Sequence, residues 1–159
     1  MSSETSILLH DILLQNKLTV ATAESCTAGK VASLIASTAG SSSYFVGSVV
    51  AYDARIKTQL LGVPAQMIDD KGVVSREVAE QMARGVAQLM NVQCAIATTG
   101  VAGPGDQGEV KQGTVWMAAL CNGHVVSSVC HFEGDRARVM EQAAETAARL
   151  LINLIKTKI

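Results

Sequence analysis

A serine lies where a short apolar segment gives way to a polar turn. Residues 18–23 are apolar enough for a buried strand, residues 24–27 read Glu-Ser-Cys-Thr, and a helix is expected from Ala28. A serine at a strand-to-helix turn exposes its hydroxyl beside backbone N–H groups that can stabilise an oxyanion. Ser25 is therefore a candidate nucleophile. The alternative is that Ser25, or Thr22, only caps the helix.

Cys26 is a rival nucleophile, because a thiol at a helix N-terminus can have a lowered pKa. Against this, most lone cysteines are small core residues. The three histidines, His10, His124 and His131, are distant in sequence and lack metal-ligand spacing, so no metal is expected. A Ser-His-Asp triad stays open, since such triads occur in several chain orders.

A tyrosine and a lysine follow the second apolar segment. Tyr52 would end a strand and Lys57 would lie about one turn into the next helix, so both could face one pocket. A lysine can serve as base to a serine if burial lowers its pKa. Tyr52 could relay a proton or orient a substrate. The alternative is a solvated lysine and a packed tyrosine.

Two arginines, Arg136 and Arg138, follow Asp135 at the start of the last predicted helix. Cations there oppose the helix dipole, which suggests that an anion binds nearby. The alternative is that Asp135 caps the helix and both arginines are ordinary surface residues.

Two further segments could hold a ligand through their backbones. The loop Gly100–Gly105 lets the main chain approach a ligand closely. The stretch Gly40–Ser43, with Ser41 and Ser42, could donate hydrogen bonds to a phosphate. It could equally be a plain helix-to-strand turn.

The elements that position these residues alternate between strands and helices and then end in a hairpin. This order predicts an α/β fold, a three-layer α/β/α sandwich with a mixed sheet ending in an antiparallel hairpin, in one domain of residues 1–159. Asp53 and Ser75 are predicted helix caps, and Asn122-Gly123 is the predicted hairpin turn. The strands are predicted at 18–23, 44–52, 93–98, 114–120 and 124–132, and the helices at 5–16, 28–37, 53–61, after 75 and after 135.

The first three predicted strands all end in polar segments. In open α/β sheets, ligands bind outside the carboxyl ends of the strands. If these strands are parallel, the segments that follow residues 23, 52 and 98 meet at one crevice. This predicts one site that contains Ser25, Tyr52 and Lys57.

Composition excludes several classes of function. The 48% of hydrophobic residues argues against disorder, and a net charge of −1 gives no basic surface for nucleic acid or a membrane. The four cysteines form no C-x-x-C pair and no signal peptide precedes residue 5, so a cytoplasmic location is expected. We also expect a homo-oligomer, as is common for small α/β enzymes.

Taken in order, five motifs resemble the CinA C-terminal family across roughly residues 5–155. The segment Thr22–Gly29 is similar to that family's Thr-Ala-Glu-Ser-Cys-Thr-Gly-Gly signature, and the segment 100–104 to its Gly-Ile-Ala-Gly-Pro loop. The other motifs are Ala39–Ser42 followed by Tyr52 with a lysine five residues later, Gly113–Val115, and Phe132–Arg136.

The resemblance implies an amidohydrolase that converts nicotinamide mononucleotide to nicotinic acid mononucleotide and ammonia, without a cofactor. It implies Ser25 as nucleophile, Lys57 as its base and Tyr52 as support for proton transfer. It places Thr99 and the region of Gly100 along the site and Arg136 at the substrate phosphate. Together with the serines suggested above on their own residues, the expected substrate-binding residues are Thr99, Gly100, Gly103, Arg136, Ser41 and Ser42. The alternatives are a nucleotide-binding module that does not hydrolyse and a hydrolase of another small amide.

The chain departs from the family pattern at three places. Ala28 stands where the signature has glycine, a tolerable change if that residue is helical. Thr99 stands where some relatives have serine, and residues 53–55 differ from the usual stretch after the tyrosine.

Overall fold

A five-stranded sheet lies at the centre of the fold, in the order β2-β1-β3-β4-β5. The computed structural model describes residues 2–158. The strands are β1 (Val20–Glu24), β2 (Phe45–Val50), β3 (Cys94–Gly100), β4 (Thr114–Cys121) and β5 (His124–His131). The helices are α1 (Glu4–Gln15), α2 (Lys30–Ala36), α3 (Ala54–Leu61), α4 (Ala65–Lys71), α5 (Arg76–Met90) and α6 (Arg136–Lys158).

The sheet is mixed, as the sequence predicts. Strand β1 pairs in parallel with β2 on one side and β3 on the other. Strand β4 is antiparallel to both β3 and β5. Asn122 and Gly123, which join β4 to β5, have φ values of 49° and 84°, and a tight hairpin turn of this type needs positive φ at both positions.

Helices cover both faces of the sheet and enclose two cores. Strand β3 shows the division, because Ile96 packs with the core under α1, α2 and α6 while its neighbours Ala95 and Ala97 pack with the core under α3 and α5. Side chains alternate between the faces of a strand, so a strand buried on both faces is apolar along most of its length. The predicted three-layer α/β/α arrangement is confirmed.

Helix ends follow the capping chemistry of the sequence. The Asp53 carboxylate accepts from the N–H of Arg55 at 2.8 Å, and the Ser75 hydroxyl accepts from the N–H of Val78 at 3.3 Å. Both predicted caps are therefore confirmed.

The predicted apolar stripe of α5 holds for Val78, Met82 and Val86, which are buried, but Leu89 is 52% exposed. Leu89 lies in the last turn of the helix.

Two predictions about the helices are wrong. Helix α2 begins at Lys30, not Ala28, because Ala28 and Gly29 have left-handed φ values of 49° and 97°. Ala28 is thus not helical, and the glycine of the family signature fits this backbone without strain. Helix α4 was not predicted, because none of its seven residues is buried and it has no apolar stripe.

No helix within residues 2–158 combines the length and the apolar character that a membrane span requires.

Candidate active site

Three chain segments that follow the parallel strands line one cavity of about 290 Å³. Strands β1, β2 and β3 run in the same direction, so their carboxyl ends lie at the same edge of the sheet. The loop after α4 and the start of α6 complete the wall. The lining residues include Ser25, Tyr52, Lys57, Thr99, Gly103 and Arg136.

Ser25 lies on the floor of this cavity, directly after β1. Its backbone N–H donates to Thr98 O at 3.1 Å, which ties the turn to β3. Its side-chain oxygen lies 3.0 Å from Lys57 Nζ. The residue is only 8% exposed. The capping alternative is wrong, because the N-cap of α2 is Gly29 and neither Ser25 nor Thr22 fills that position.

Lys57 is almost completely buried, at 1% exposure. Besides Ser25 Oγ, its Nζ contacts two carbonyl oxygens, Ala51 O at 2.7 Å and Tyr52 O at 3.2 Å. Burial lowers the pKa of Lys57 because the charged ammonium loses its hydration, while the Asp53 carboxylate acts in the opposite direction.

The partners of Lys57 suit a neutral amine as well as an ammonium. A neutral amine has two N–H groups and one lone pair. If the two N–H groups donate to the carbonyls of Ala51 and Tyr52, the lone pair is left for the hydroxyl proton of Ser25. This arrangement of partners is suited to a lysine that accepts a proton from Ser25.

Cys26 does not have the properties of a nucleophile. Its side chain is buried at 5% exposure, and burial raises the pKa of the thiol to about 12. The thiolate is the reactive form, so the thiol is almost wholly unreactive at neutral pH. The lowered pKa expected from its place near a helix start is wrong, because loss of hydration outweighs the turn's backbone N–H.

Three residues form the mouth of the cavity. Arg136 Nη2 donates to Tyr52 Oη at 2.7 Å, and Arg136 Nη1 donates to Gly103 O. Tyr52 is 57% exposed. The main-chain oxygen of Tyr52 contacts Lys57, whereas its hydroxyl contacts Arg136. This geometry favours the predicted orienting role of Tyr52 over the role in proton transfer.

The structure separates the two arginines of the last helix. Arg136 reaches the cavity, whereas Arg138 borders a different surface depression beside Phe132 and Glu141. Asp135 caps the helix by accepting from the N–H of Arg138 at 2.9 Å. The anion-binding prediction is thus left with Arg136 alone.

The glycine-rich loop packs too closely for side chains at two points. A Cβ on Gly100 would lie 2.5 Å from Thr114 O, and one on Gly103 would lie 2.5 Å from the side chain of Gln112. The Gln112 side chain also accepts from the N–H of Gly105 at 2.8 Å. Thr99, which lines the wall, donates to Val73 O at 2.8 Å.

Ser41 and Ser42 are the predicted site residues that the structure does not bring to the cavity. They form a short 3-10 helix at Ser41–Ser43, immediately before β2. The next residue, Tyr44, accepts from the N–H of Val20 at the start of β1. Both serines therefore lie at the amino ends of the parallel strands, opposite Ser25, and the expectation that they bind the same substrate is corrected.

A buried carboxylate that the sequence analysis missed lies beside Ser25. Glu24 is completely buried and accepts from the N–H groups of Gly29, Val31 and Ala32 at the start of α2. A signal existed in the sequence, because glycine stands before α2 where a side chain that caps the helix is usual. The acidic residue a few positions earlier could have been predicted to accept from the N–H groups at the start of the helix in its place.

Two of the three histidines make hydrogen-bond contacts away from the cavity. His10 Nδ1 lies 3.0 Å from Tyr44 Oη, and His131 Nδ1 lies 3.1 Å from Thr114 Oγ1. Neither histidine contacts Ser25. Within the described range 2–158, no group of three His, Cys, Asp or Glu side chains is placed to hold a metal ion.

The ordered motifs and this geometry agree with comparison to known proteins. The sequence profile of the CinA C-terminal domain matches residues 3–155. The chain belongs to the CinA C-terminal domain family. A CinA-like protein from Flavobacterium psychrophilum is 42% identical over 147 residues, which cover 91% of this chain and 35% of that protein. The chain spans about a third of the length of the curated relatives it matches.

Solved structures of the same family have the same fold. The competence damage-inducible protein A from Klebsiella pneumoniae subsp. pneumoniae superposes with a TM-score of 0.95 at 27% identity, over 98% of both chains. A CinA superfamily protein from Escherichia coli superposes with a TM-score of 0.89 at 30% identity, over 97% of this chain and 94% of that one.

Proposed function

We propose that the protein is a hydrolase that converts nicotinamide mononucleotide to nicotinic acid mononucleotide and ammonia, through an acyl-enzyme on Ser25. The observation that carries the proposal is the buried pair of Ser25 Oγ and Lys57 Nζ, 3.0 Å apart at the floor of an open cavity. The membership of the CinA C-terminal domain family supports it.

The first half of the reaction forms the acyl-enzyme. Neutral Lys57 accepts the hydroxyl proton of Ser25 as Ser25 Oγ attacks the carboxamide carbon. The N–H of Ser25 is already donated to Thr98 O, so the N–H of Cys26 and those of the 102–103 loop are the candidate donors to the oxyanion. Lys57 then returns the proton to the leaving nitrogen, which departs as ammonia.

The second half releases the acid. A water molecule attacks the ester carbon and gives its proton to Lys57, and the bond between the acyl carbon and Ser25 Oγ breaks. Lys57 returns the proton to Ser25. The net reaction consumes one water and one carboxamide and gives one carboxylic acid and one ammonia, and it needs only the side chains already described.

The mouth of the cavity supports a substrate that carries a phosphate. Arg136 uses two of its five N–H groups on Tyr52 and Gly103. A guanidinium with free donors at the entrance is suited to a phosphate oxygen. The substrate's ring would then lie deeper, toward Ser25.

The test is ammonia release from nicotinamide mononucleotide, measured beside nicotinamide riboside, which lacks the phosphate. We expect release from the mononucleotide and a much higher KM for the riboside. Binding of the mononucleotide without ammonia release would replace the proposal with the non-hydrolysing module. Equal rates on both compounds would point to a hydrolase of another small amide and would remove the phosphate from the account.

Self-association and a cytoplasmic location stay predictions of the sequence.

A further inference from the structure

Glu24 is the only completely buried carboxylate among residues 2–158, and it immediately precedes the proposed nucleophile. It ends β1, while its side chain lies under the first turn of α2. A buried carboxylate without compensating donors would be strongly unfavourable. Its contacts therefore show what it does in the fold.

One carboxylate oxygen, Oε1, accepts three hydrogen bonds. The donors are Thr27 Oγ1 at 2.6 Å, the N–H of Gly29 at 3.1 Å and the N–H of Val31 at 2.9 Å. Thr27 and Gly29 belong to the turn that leaves Ser25, and Val31 is the second residue of α2. Glu24 thus closes this turn on itself.

The other oxygen, Oε2, links the turn to the helix and to its own strand. It accepts from the N–H of Ala32 at 2.9 Å and from Thr22 Oγ1 at 3.2 Å. The Thr22 hydroxyl is also 2.6 Å from Ser48 Oγ on β2. The carboxylate therefore joins β1, the turn and α2, and it reaches β2 through Ser48 Oγ, which lies 3.5 Å from Oε2 and also contacts the Thr22 hydroxyl.

Thr27 extends the same network to β3. Its hydroxyl lies 2.7 Å from Thr98 Oγ1, and Thr98 O accepts the N–H of Ser25. Ser25 is thereby held from both sides, by β3 on its own amide and by the Glu24 network on the residues that follow. Lys57 is fixed separately by the carbonyls of Ala51 and Tyr52.

We propose that Glu24 is a positioning residue, which holds the turn so that Ser25 Oγ stays within reach of Lys57 Nζ and the following N–H groups stay oriented for an oxyanion. The inference rests on the proposed role of Ser25 as nucleophile. Glu24 itself touches neither Ser25 Oγ nor Lys57 Nζ. A displacement of about 1 Å between reacting groups can cost about a hundredfold in rate.

The decisive variant is Glu24→Gln, which keeps the shape of the side chain. The NH₂ group of the glutamine takes the place of one carboxylate oxygen. Its N–H groups then face the N–H and hydroxyl donors of the turn, which lose an acceptor. The matched control is Ser3→Ala, which removes the cap of α1 (Ser3 Oγ accepts from Ser6 N at 3.1 Å) at a residue that does not line the cavity. Both variants lose helix-capping contacts, but only one alters the turn of Ser25.

The readout is the rate at which a fluorophosphonate probe labels Ser25, followed by intact mass and divided by the folded fraction from circular dichroism. This readout does not depend on which amide is the substrate. We expect Glu24→Gln to label about a hundredfold more slowly per folded molecule, and Ser3→Ala to label at the wild-type rate. With the mononucleotide as substrate, kcat should fall while KM stays, because Glu24 does not reach the mouth.

Glu24→Gln labelled as fast as Ser3→Ala would overturn the positioning role and leave Ser25 as nucleophile. A wild type that takes no label at Ser25 would overturn the nucleophile and the inference together. If Glu24→Gln does not fold, Thr27→Val provides the test, because it removes the hydroxyl shared by Glu24 and Thr98 and keeps the N–H contacts. It should slow labelling in the same direction, and an unchanged rate would overturn the inference.

Discussion

The floor and the mouth of the cavity are built in opposite ways. The floor consists of Ser25 and Lys57, which are both buried and held by hydrogen bonds to the ends of the strands, and the buried Glu24 holds the turn behind Ser25. The mouth consists of Tyr52, Gly103 and Arg136, and Tyr52 is more than half exposed. One cavity therefore has a fixed, poorly hydrated end and an open, solvated end.

This difference assigns separate tasks to the two ends. Loss of hydration at the floor lowers the pKa of Lys57 and leaves its neutral form more abundant, which a base requires. At the mouth a guanidinium remains charged and can exchange protein contacts for a ligand. Changes at the floor should therefore act on kcat, and changes at the mouth should act on KM.

The largest expected effect comes from removing the base at the floor. Lys57→Met keeps the length of the side chain but cannot accept a proton, so kcat should fall by about a hundredfold or more. Steady-state ammonia release measures it, with exposed Lys71→Met as the control. An unchanged kcat in Lys57→Met would mean that another group is the base, and it would contradict the assignment of the chemistry to the floor.

The pH dependence of kcat sharpens the same point. Protonated Lys57 cannot accept the serine proton, so the rate should fall about tenfold per pH unit below the pKa of Lys57. Burial holds that pKa below its ordinary value of 10.5. A rate that stays constant as pH falls well below neutrality would contradict Lys57 as base.

The same lowered pKa predicts a change in stability. Between the folded pKa of Lys57 and its unfolded value near about 10.4, the unfolded chain binds more protons. The free energy of unfolding should therefore gain a contribution as pH rises through this window. Urea denaturation of the wild type and of Lys57→Met at several pH values measures this contribution. If the free energy of unfolding changes with pH in the same way in both proteins, the lowered pKa is contradicted.

A smaller effect, confined to binding, is expected at the mouth. Arg136→Gln removes the charge, and loss of a charged hydrogen bond of about 1.5–3 kcal/mol corresponds to about a 10- to 150-fold rise in KM for the mononucleotide. The matched control is Arg138→Gln on the same turn of α6, which should keep the wild-type KM. A fall in kcat with unchanged KM would mean that the mouth takes part in the chemistry.

The smallest effect concerns the turn that carries Ser25. Ala28 has a φ of 49°, so Ala28→Gly should relieve strain and raise the free energy of unfolding by about 0.5–1 kcal/mol. Ala32→Gly, inside α2, should lower it by about 1 kcal/mol. Urea denaturation distinguishes the two, and a destabilised Ala28→Gly would contradict the strained turn.

The sequence predicts the residues at the floor of the cavity better than it predicts the contacts that hold them in place. Polar segments after three parallel strands are enough to bring Ser25, Lys57 and Tyr52 together, because strand direction fixes where those segments end. The Glu24 network was missed because three of its donors are backbone N–H groups, which every sequence contains and which therefore give no signal. Residues two apart on a helix do not share a face, so the sequence could have predicted that only one of Arg136 and Arg138 faces the cavity, but not which one.

The prediction that Ser41 and Ser42 bind the substrate failed although the sequence contained enough information to avoid it. Hydroxyl-rich stretches suggest phosphate binding, but these serines precede β2 while the site follows it. Residues before a parallel strand lie at the far edge of the sheet from residues after it. The direction of the strand, which the sequence already predicts, was sufficient to place them there.

The central claim is tested most directly by Ser25→Ala beside the wild type, with ammonia release from nicotinamide mononucleotide as the readout and circular dichroism as the check on folding. The account predicts release by the wild type and a loss of about a thousandfold or more in the folded variant. A folded Ser25→Ala that releases ammonia at close to the wild-type rate would contradict Ser25 as the nucleophile.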